Sequence, residues 1–73
     1  MDIVLERGAN ELAGVEVKAS ATVMEADFRG LRKLGDLLGK RFCAGVVLYD
    51  GETSASFGKN LYALPIRALW ETM

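Results

Sequence analysis

The stretch ELAGVEVK, residues 11–18, decides the fold that this sequence predicts. Every second residue from Ala13 to Val17 is apolar, whereas Glu16 and Lys18 fall on the other face of the same strand, because side chains two apart point the same way. A carboxylate and an ammonium therefore lie next to each other in a chain that is 51% hydrophobic.

The sequence DIVLE just upstream alternates in the same way and predicts a partner strand. Residues 8–10, GAN, fit a three-residue hairpin loop between the two. Counting back along the antiparallel ladder, Ile3 faces Val15 and Asp2 faces Glu16. The apolar faces of the two strands agree in this register, and a slip of one residue would break that agreement.

A helix is predicted after the hairpin, since apolar residues recur at helical spacing and charged residues take the other side. The apolar positions are Phe28, Leu31, Leu34, Leu37 and Leu38. The start is ambiguous: Thr22 followed by Glu25 resembles a capping box, and Asp27 could add charge to the first turn. Gly39 is a natural C-terminal stop. Gly30 and Gly35 would allow the helix to pack closely against a sheet.

Three further strands are expected. AGVVLY, residues 44–49, is a continuous apolar run typical of a strand buried on both faces. Asp50-Gly51 predicts a two-residue hairpin turn into a strand at 53–57, and residues 58–60 turn again into a strand at 61–64. Pro65 would open a short helix in which Ile66, Leu69 and Trp70 share a face.

The order of elements predicts an α/β fold. A helix between two strands favours a parallel crossover, while the hairpins on either side are antiparallel. We therefore expect a mixed sheet of about five strands with a crossover helix and a short C-terminal helix. At 73 residues, the chain forms one domain, residues 1–73.

Composition indicates the cellular location to expect and the extent of apolar surface on this chain. No apolar run approaches the roughly 18 residues of a membrane span, and no export signal is visible, so a cytoplasmic protein is expected. The single cysteine, Cys43, is interpreted as a small buried hydrophobe. The high apolar content of so short a chain implies that some apolar surface is covered by a second copy or by part of a longer parent protein.

A metal site is one explanation for the charges on the first two strands. Asp2 and Glu16 would repel each other across the ladder, and a divalent cation between them would turn that cost into a gain. Mg²⁺ takes carboxylate, water and phosphate oxygens, and Lys18 beside it could stabilise charge on a phosphate under attack. The alternative is a cross-strand ion pair on a solvated face.

The same residues carry a family resemblance. Asp on one strand and Glu-x-Lys on the next resemble the PD-(D/E)XK nuclease-like fold. DIVLERG (2–8), GVEVKASATV (14–23), DFRGLRKL (27–34) and LPIRALW (64–70) resemble the C-terminal domain of uncharacterised bacterial and archaeal AAA+ ATPases. The resemblance covers nearly the whole chain and implies an incomplete restriction-endonuclease-like core.

The resemblance implies roles for named residues. Asp2 and Glu16, with the carbonyl of Val17, would hold Mg²⁺, and Lys18 would assist the attack of water, so that Asp2, Glu16 and Lys18 form the catalytic set. No phosphate-binding GxxxxGK[ST] loop is present, and the first helix and strand of the fold are missing before Asp2. The chain is therefore expected to be a fragment or truncated form of a larger ATPase-associated protein.

Two functions follow as expectations. One is a Mg²⁺-dependent nuclease-like domain, active or silent, that acts on nucleic acid. The other is a catalytically silent module that forms a homodimer or binds an ATPase module or another protein. The basic residues along the helix could bind the backbone of a nucleic acid or could form an ordinary polar helix face. The acidic pI of 5.3 favours the polar helix face.

Overall fold

The computed structural model describes residues 3–8 and 10–68. Its strands are β1 (Ile3–Glu6), β2 (Leu12–Lys18), β3 (Phe42–Tyr49), β4 (Ala55–Gly58) and β5 (Leu61–Pro65). Helix α1 (Arg29–Leu38) follows a 3₁₀ turn, Glu25–Phe28, and runs into a second 3₁₀ turn, Gly39–Arg41. In the part of the chain that is described, no helix has the length and apolarity that crossing a bilayer requires.

The strands form one five-stranded mixed sheet in the order β1-β2-β3-β5-β4. The pairs β1–β2 and β4–β5 are antiparallel, whereas β2–β3 and β3–β5 are parallel. This arrangement confirms the predicted α/β class, with a mixed sheet and a helix between two parallel strands.

The first hairpin has the predicted register. Ile3 pairs with Val15 and Leu5 pairs with Ala13. The loop closes with a hydrogen bond in which the Arg7 amide donates to the Glu11 carbonyl at 2.8 Å. Gly8 takes a φ of +71°, a conformation that costs glycine little because it has no Cβ.

The predicted hairpin at Asp50-Gly51 is wrong. β5 lies between β3 and β4, so the strands before and after this turn are not neighbours. The Asp50 amide donates to the Ser20 carbonyl at 2.8 Å, which directs the chain away from the ladder. Further along, β4 brings Phe57 onto Phe28, with ring centroids 4.7 Å apart. This aromatic contact, made over a long sequence separation, prevails over the local turn signal.

The helix follows the predicted pattern except at its two ends. Phe28 and Leu31 are fully buried, but Leu37 is 83% exposed and the prediction that it faces the core is wrong. At 3.6 residues per turn, six residues after Leu31 correspond to a rotation of about 120° away from the sheet. Gly39 follows the last helical residue with a φ of +56°, which confirms it as the stop.

The predicted capping box of Thr22 and Glu25 is also wrong. The Asp27 carboxylate accepts a hydrogen bond from the Met24 amide at 2.7 Å and begins the 3₁₀ turn. The Thr22 amide instead donates to the Ser20 hydroxyl at 3.1 Å. An acidic side chain therefore caps the segment from inside its first turn.

The hydrophobic core lies between α1 and one face of the sheet. Its buried members are Phe28, Leu31, Val47, Tyr49, Leu61 and Ala63. A Cβ at Gly45 would lie 2.9 Å from Leu61 Cδ2 and 3.2 Å from Leu31 Cβ, so glycine at this position allows the close approach of the helix.

The end of the chain differs from expectation where it is described. Pro65 is the last residue of β5, Ile66 and Arg67 form a turn, and Ala68 is helical, so the predicted C-terminal helix begins three residues after the proline. Pro65 pairs with Tyr49 on β3, and the Tyr49 carbonyl accepts a hydrogen bond from the Ile66 amide at 2.8 Å. This bond extends the parallel pairing past the proline. The predicted helical face of Leu69 and Trp70 lies outside the described residues.

Candidate functional site

Glu16 and Lys18 lie on the face of the sheet that α1 covers. The Lys18 ammonium contacts the Asp27 carboxylate, with Nζ 2.5 Å from Oδ2. The side chains of this pair are 30% and 24% exposed, so both are largely withdrawn from water. The lysine that the sequence assigned to catalysis therefore connects the end of β2 to the turn that precedes α1.

Asp27 is the residue of this site that sequence reasoning missed. The Lys18 ammonium and, to a smaller extent, the Met24 amide hold the pKa of Asp27 below its ordinary value of 3.8, because both favour the charged carboxylate. The signal in the sequence was an acid near the start of the predicted helix, which indicates added negative charge in the first turn and not a partner for Lys18.

Glu16 lies directly beneath the helix. A Cβ on Gly30 would come within 2.8 Å of Glu16 Oε1, so the absence of a side chain at residue 30 makes room for the carboxylate. This contact confirms that Gly30 permits close packing between α1 and β2. Glu16 is half-buried and lies two residues before Lys18 on β2, so the two side chains share a face of the sheet.

Two of the three predicted metal ligands, Glu16 and Val17, lie within the described residues. Asp2 lies outside the described residues. The Val17 side chain points to the opposite face of the sheet and is 51% exposed. Within residues 3–8 and 10–68 there is no cluster of three or more acidic, histidine or cysteine side chains that could hold a metal ion. The Mg²⁺ site at Asp2, Glu16 and Val17 therefore stays a prediction.

The opposite face of the sheet is apolar and open. Paired residues on neighbouring strands share a face, which assigns to it Ile3, Leu5, Ala13, Val15, Val17, Ala44, Val46, Leu48, Ser56, Tyr62 and Leu64. We call this set the open face. None of these side chains carries a charge, and α1 packs on the other side.

The open face is well exposed at its edges and half-buried at its centre. Leu5 is 55% exposed, Val17 51% and Tyr62 40%, whereas Val46 and Leu48 on β3 are intermediate. The expectation that residues 44–49 are buried on both faces is therefore wrong for the described chain, because only the face against α1 is covered. An apolar surface of this kind is typical of an interaction site.

Cys43 also differs from expectation, because it is exposed. It occupies an irregularity between β2 and β3, where Leu12 pairs with Phe42 and Ala13 pairs with Ala44. The extra residue of a bulge is left unpaired and can point outward. The Cys43 sulfur lies 3.8 Å from Glu11 Oε2, beside the exposed Arg7–Glu11 ion pair.

Comparison with known proteins gives one match. The family model described as "Domain of unknown function (DUF4143)" matches residues 1–69. The chain belongs to this family. No curated protein and no solved structure matches the chain significantly.

Proposed function

We propose that this DUF4143 chain is a protein-interaction domain that forms a homodimer through its open face. One observation carries the proposal: a sheet face of four neighbouring strands, β1, β2, β3 and β5, presents only uncharged, mainly aliphatic side chains. The charged residues of these four strands, Glu6, Glu16 and Lys18, lie on the other face.

The topology supports an interaction role for this face. Sheets with parallel strands are almost always covered on both sides, and their strands are apolar on both sides for that reason. β2, β3 and β5 are parallel, and β3 and β5 carry no charged residue on either face. Within the described residues, α1 covers one side of this sheet. Burial of the open face would therefore add hydrophobic stabilisation beyond that of the core against α1.

The dimensions of the molecule are compatible with a second copy as the partner. The overall extents are 32 × 29 × 19 Å, and the shortest is about the thickness expected of one helix layer packed on one sheet. The broad side, taken as an ellipse, has an area of about 700 Å², close to the roughly 800 Å² that each partner buries in a standard stable interface. A two-fold axis that lies in the plane of the interface, parallel to the sheet, would pair the open face with itself.

Nuclease-like chemistry is the second candidate, and it is supported by the shared face of Glu16 and Lys18. The resemblance to a PD-(D/E)XK core and to a domain of AAA+ ATPases adds Mg²⁺ and nucleic acid to this candidate. The ion pair between Lys18 and Asp27 argues against it, because a neutralised lysine is less able to stabilise a developing anion. The interaction function is therefore preferred.

The chain offers a matched pair of variants for testing the dimer. Leu5 and Val4 are neighbours on the edge strand β1, are 55% and 53% exposed, and point to opposite faces. In Leu5→Lys the added charge would be trapped in the interface, which we expect to weaken self-association by at least about 100-fold. In Val4→Lys the same charge points away from the interface and should leave self-association unchanged.

Sedimentation equilibrium between micromolar and millimolar protein measures both variants and the wild type, with circular dichroism as a check on folding. A second interface variant, Val17→Lys, provides the test if Leu5→Lys fails to fold. A wild type that stays monomeric throughout, or equal weakening by Leu5→Lys and Val4→Lys, would overturn the proposal.

A further inference from the structure

A groove lies on the helix side of the sheet, between the C-terminal half of α1 and the turn that joins β4 to β5. It has a volume of about 750 Å³. Leu31, Phe42 and Leu61 are the apolar residues that line it. The apolar residues beneath it are covered to different extents, since Leu31 is fully buried and Leu61 is 4% exposed, whereas Phe42 is half-buried. The groove therefore lies at the edge of the hydrophobic core, and Phe42 is its most accessible apolar residue.

One end of the groove is held in a fixed shape by Arg32. Its guanidinium donates to the Phe57 carbonyl at 2.8 Å and pairs with the Glu25 carboxylate, which connects α1 to β4 across the sheet. The adjacent turn between β4 and β5 contains Asn60, which has a φ of +60° and whose carbonyl accepts a hydrogen bond from the Gly45 amide at 2.8 Å, so that the hairpin is fixed against β3. The groove is thus formed by the fold itself and not by loose side chains.

The rim of the groove is cationic. Lys40 and Lys59 line it together with Arg32, and a single acid, Asp36, lies among them. Neither lysine forms an ion pair within the described residues, whereas the charge of Arg32 is offset by Glu25. Two unneutralised ammonium groups therefore border an apolar floor.

We propose that this groove binds an acidic peptide segment that inserts one apolar side chain. Charge complementarity selects the occupant, since carboxylates flanking an aromatic or aliphatic side chain would meet Lys40 and Lys59 while that side chain packs against the half-buried Phe42. The volume lies in the range of pockets that hold one small ligand or a few side chains.

A nucleic acid is a poorer fit. Binding to a nucleic-acid backbone relies on many cationic contacts, whereas the groove offers two ammonium groups without an ion-pair partner among the described residues, and the pI of 5.3 is far from the basic value typical of nucleic-acid-binding domains. The groove is also separate from the open face, which lies across the sheet. The inference therefore does not depend on the dimer, and either one can fail without the other.

Fluorescence anisotropy with a labelled peptide, acetyl-EEFEE-amide, tests the inference at low ionic strength with the whole chain. We expect saturable binding that Lys59→Glu weakens by about tenfold or more. The matched control is Lys33→Glu, which makes the same change of charge on the exposed side of α1, away from the groove, and should have little effect. Acetyl-EEAEE-amide, which lacks the apolar anchor, should bind more weakly than acetyl-EEFEE-amide.

Absence of saturable binding would overturn the proposal. Equal weakening by Lys59→Glu and Lys33→Glu would do so as well, because it would reduce the effect to general attraction between charges. Tighter binding of a single-stranded oligonucleotide than of the peptide would assign the groove to nucleic acid instead. If Lys59→Glu does not fold, Lys40→Glu gives the same comparison.

Discussion

The ion pair between Lys18 and Asp27 leads to a prediction that separates a structural lysine from a catalytic one. The perturbations are Lys18→Met, Asp27→Asn and the double variant, compared as a cycle with the wild type. Asparagine keeps an oxygen that can accept from the Met24 amide, so the cycle isolates the interaction between the two charges.

The structure sets the size of the coupling. Exposed ion pairs contribute about 0.2–1 kcal/mol, and hydrogen bonds to charged groups contribute about 1.5–3 kcal/mol. The Lys18–Asp27 pair lies between these cases, because its contact is short at 2.5 Å while its side chains keep 30% and 24% of their exposure. We therefore expect a coupling free energy of about 1–2 kcal/mol.

Urea denaturation followed by circular dichroism provides the free energies of unfolding, at one fixed protein concentration because association would add to stability. A coupling free energy below about 0.5 kcal/mol would refute the reasoning, since it would place the pair with ordinary surface ion pairs. Lys18 would then be available for another role, and the nuclease-like candidate would gain support.

Three further predictions follow from the structure. Because the pKa of Asp27 is lowered in the folded state, its contribution should be complete above the unfolded pKa of about 3.9 and lost as pH falls through the lower folded value. The difference in the free energy of unfolding between wild type and Asp27→Asn should therefore stay constant from about pH 5.5 to 8 and shrink below about pH 4, and a difference that does not shrink as the solution is acidified contradicts this assignment. Gly45→Ala should lower the free energy of unfolding in urea by about 1–3 kcal/mol, because its Cβ would lie 2.9 Å from Leu61 Cδ2, and an unchanged midpoint would show that the helix is free to move away. If the metal hypothesis holds, calorimetric titration with Mn²⁺ should show saturable binding to the wild type that is lost in Glu16→Ala, whereas no heat in either protein would remove Glu16 as a ligand.

The first hairpin shows how much of this fold can be predicted locally. Alternation in two short strands, a loop of three residues and the requirement that apolar faces agree were enough to give the pairing of Ile3 with Val15. The same reasoning failed at Asp50-Gly51, where an equally clear turn signal joins strands that are not neighbours. A turn signal describes four residues. It contains no information on whether another strand will insert between the strand before the turn and the strand after it.

The candidate site shows the same division. The alternation of β2 predicted that Glu16 and Lys18 share a face. That Asp27 would be the partner of Lys18 could not be predicted, because the contact depends on how the segment between β2 and α1 crosses the sheet. Cys43 and Leu37 were both expected to be covered, but both are exposed. Cys43 lies at a bulge between β2 and β3, and the helical rotation after Leu31 places Leu37 away from the sheet.

By itself, the sequence determined the α/β class, the first hairpin register and the helix stop at Gly39, since each depends on periodicity or backbone freedom within a few residues. The tertiary structure alone decided the strand order, the Lys18–Asp27 contact and which apolar face is left open. These features depend on contacts between segments far apart in the chain. Their free energies come from burial and charge pairing, which appear only when the layers pack together.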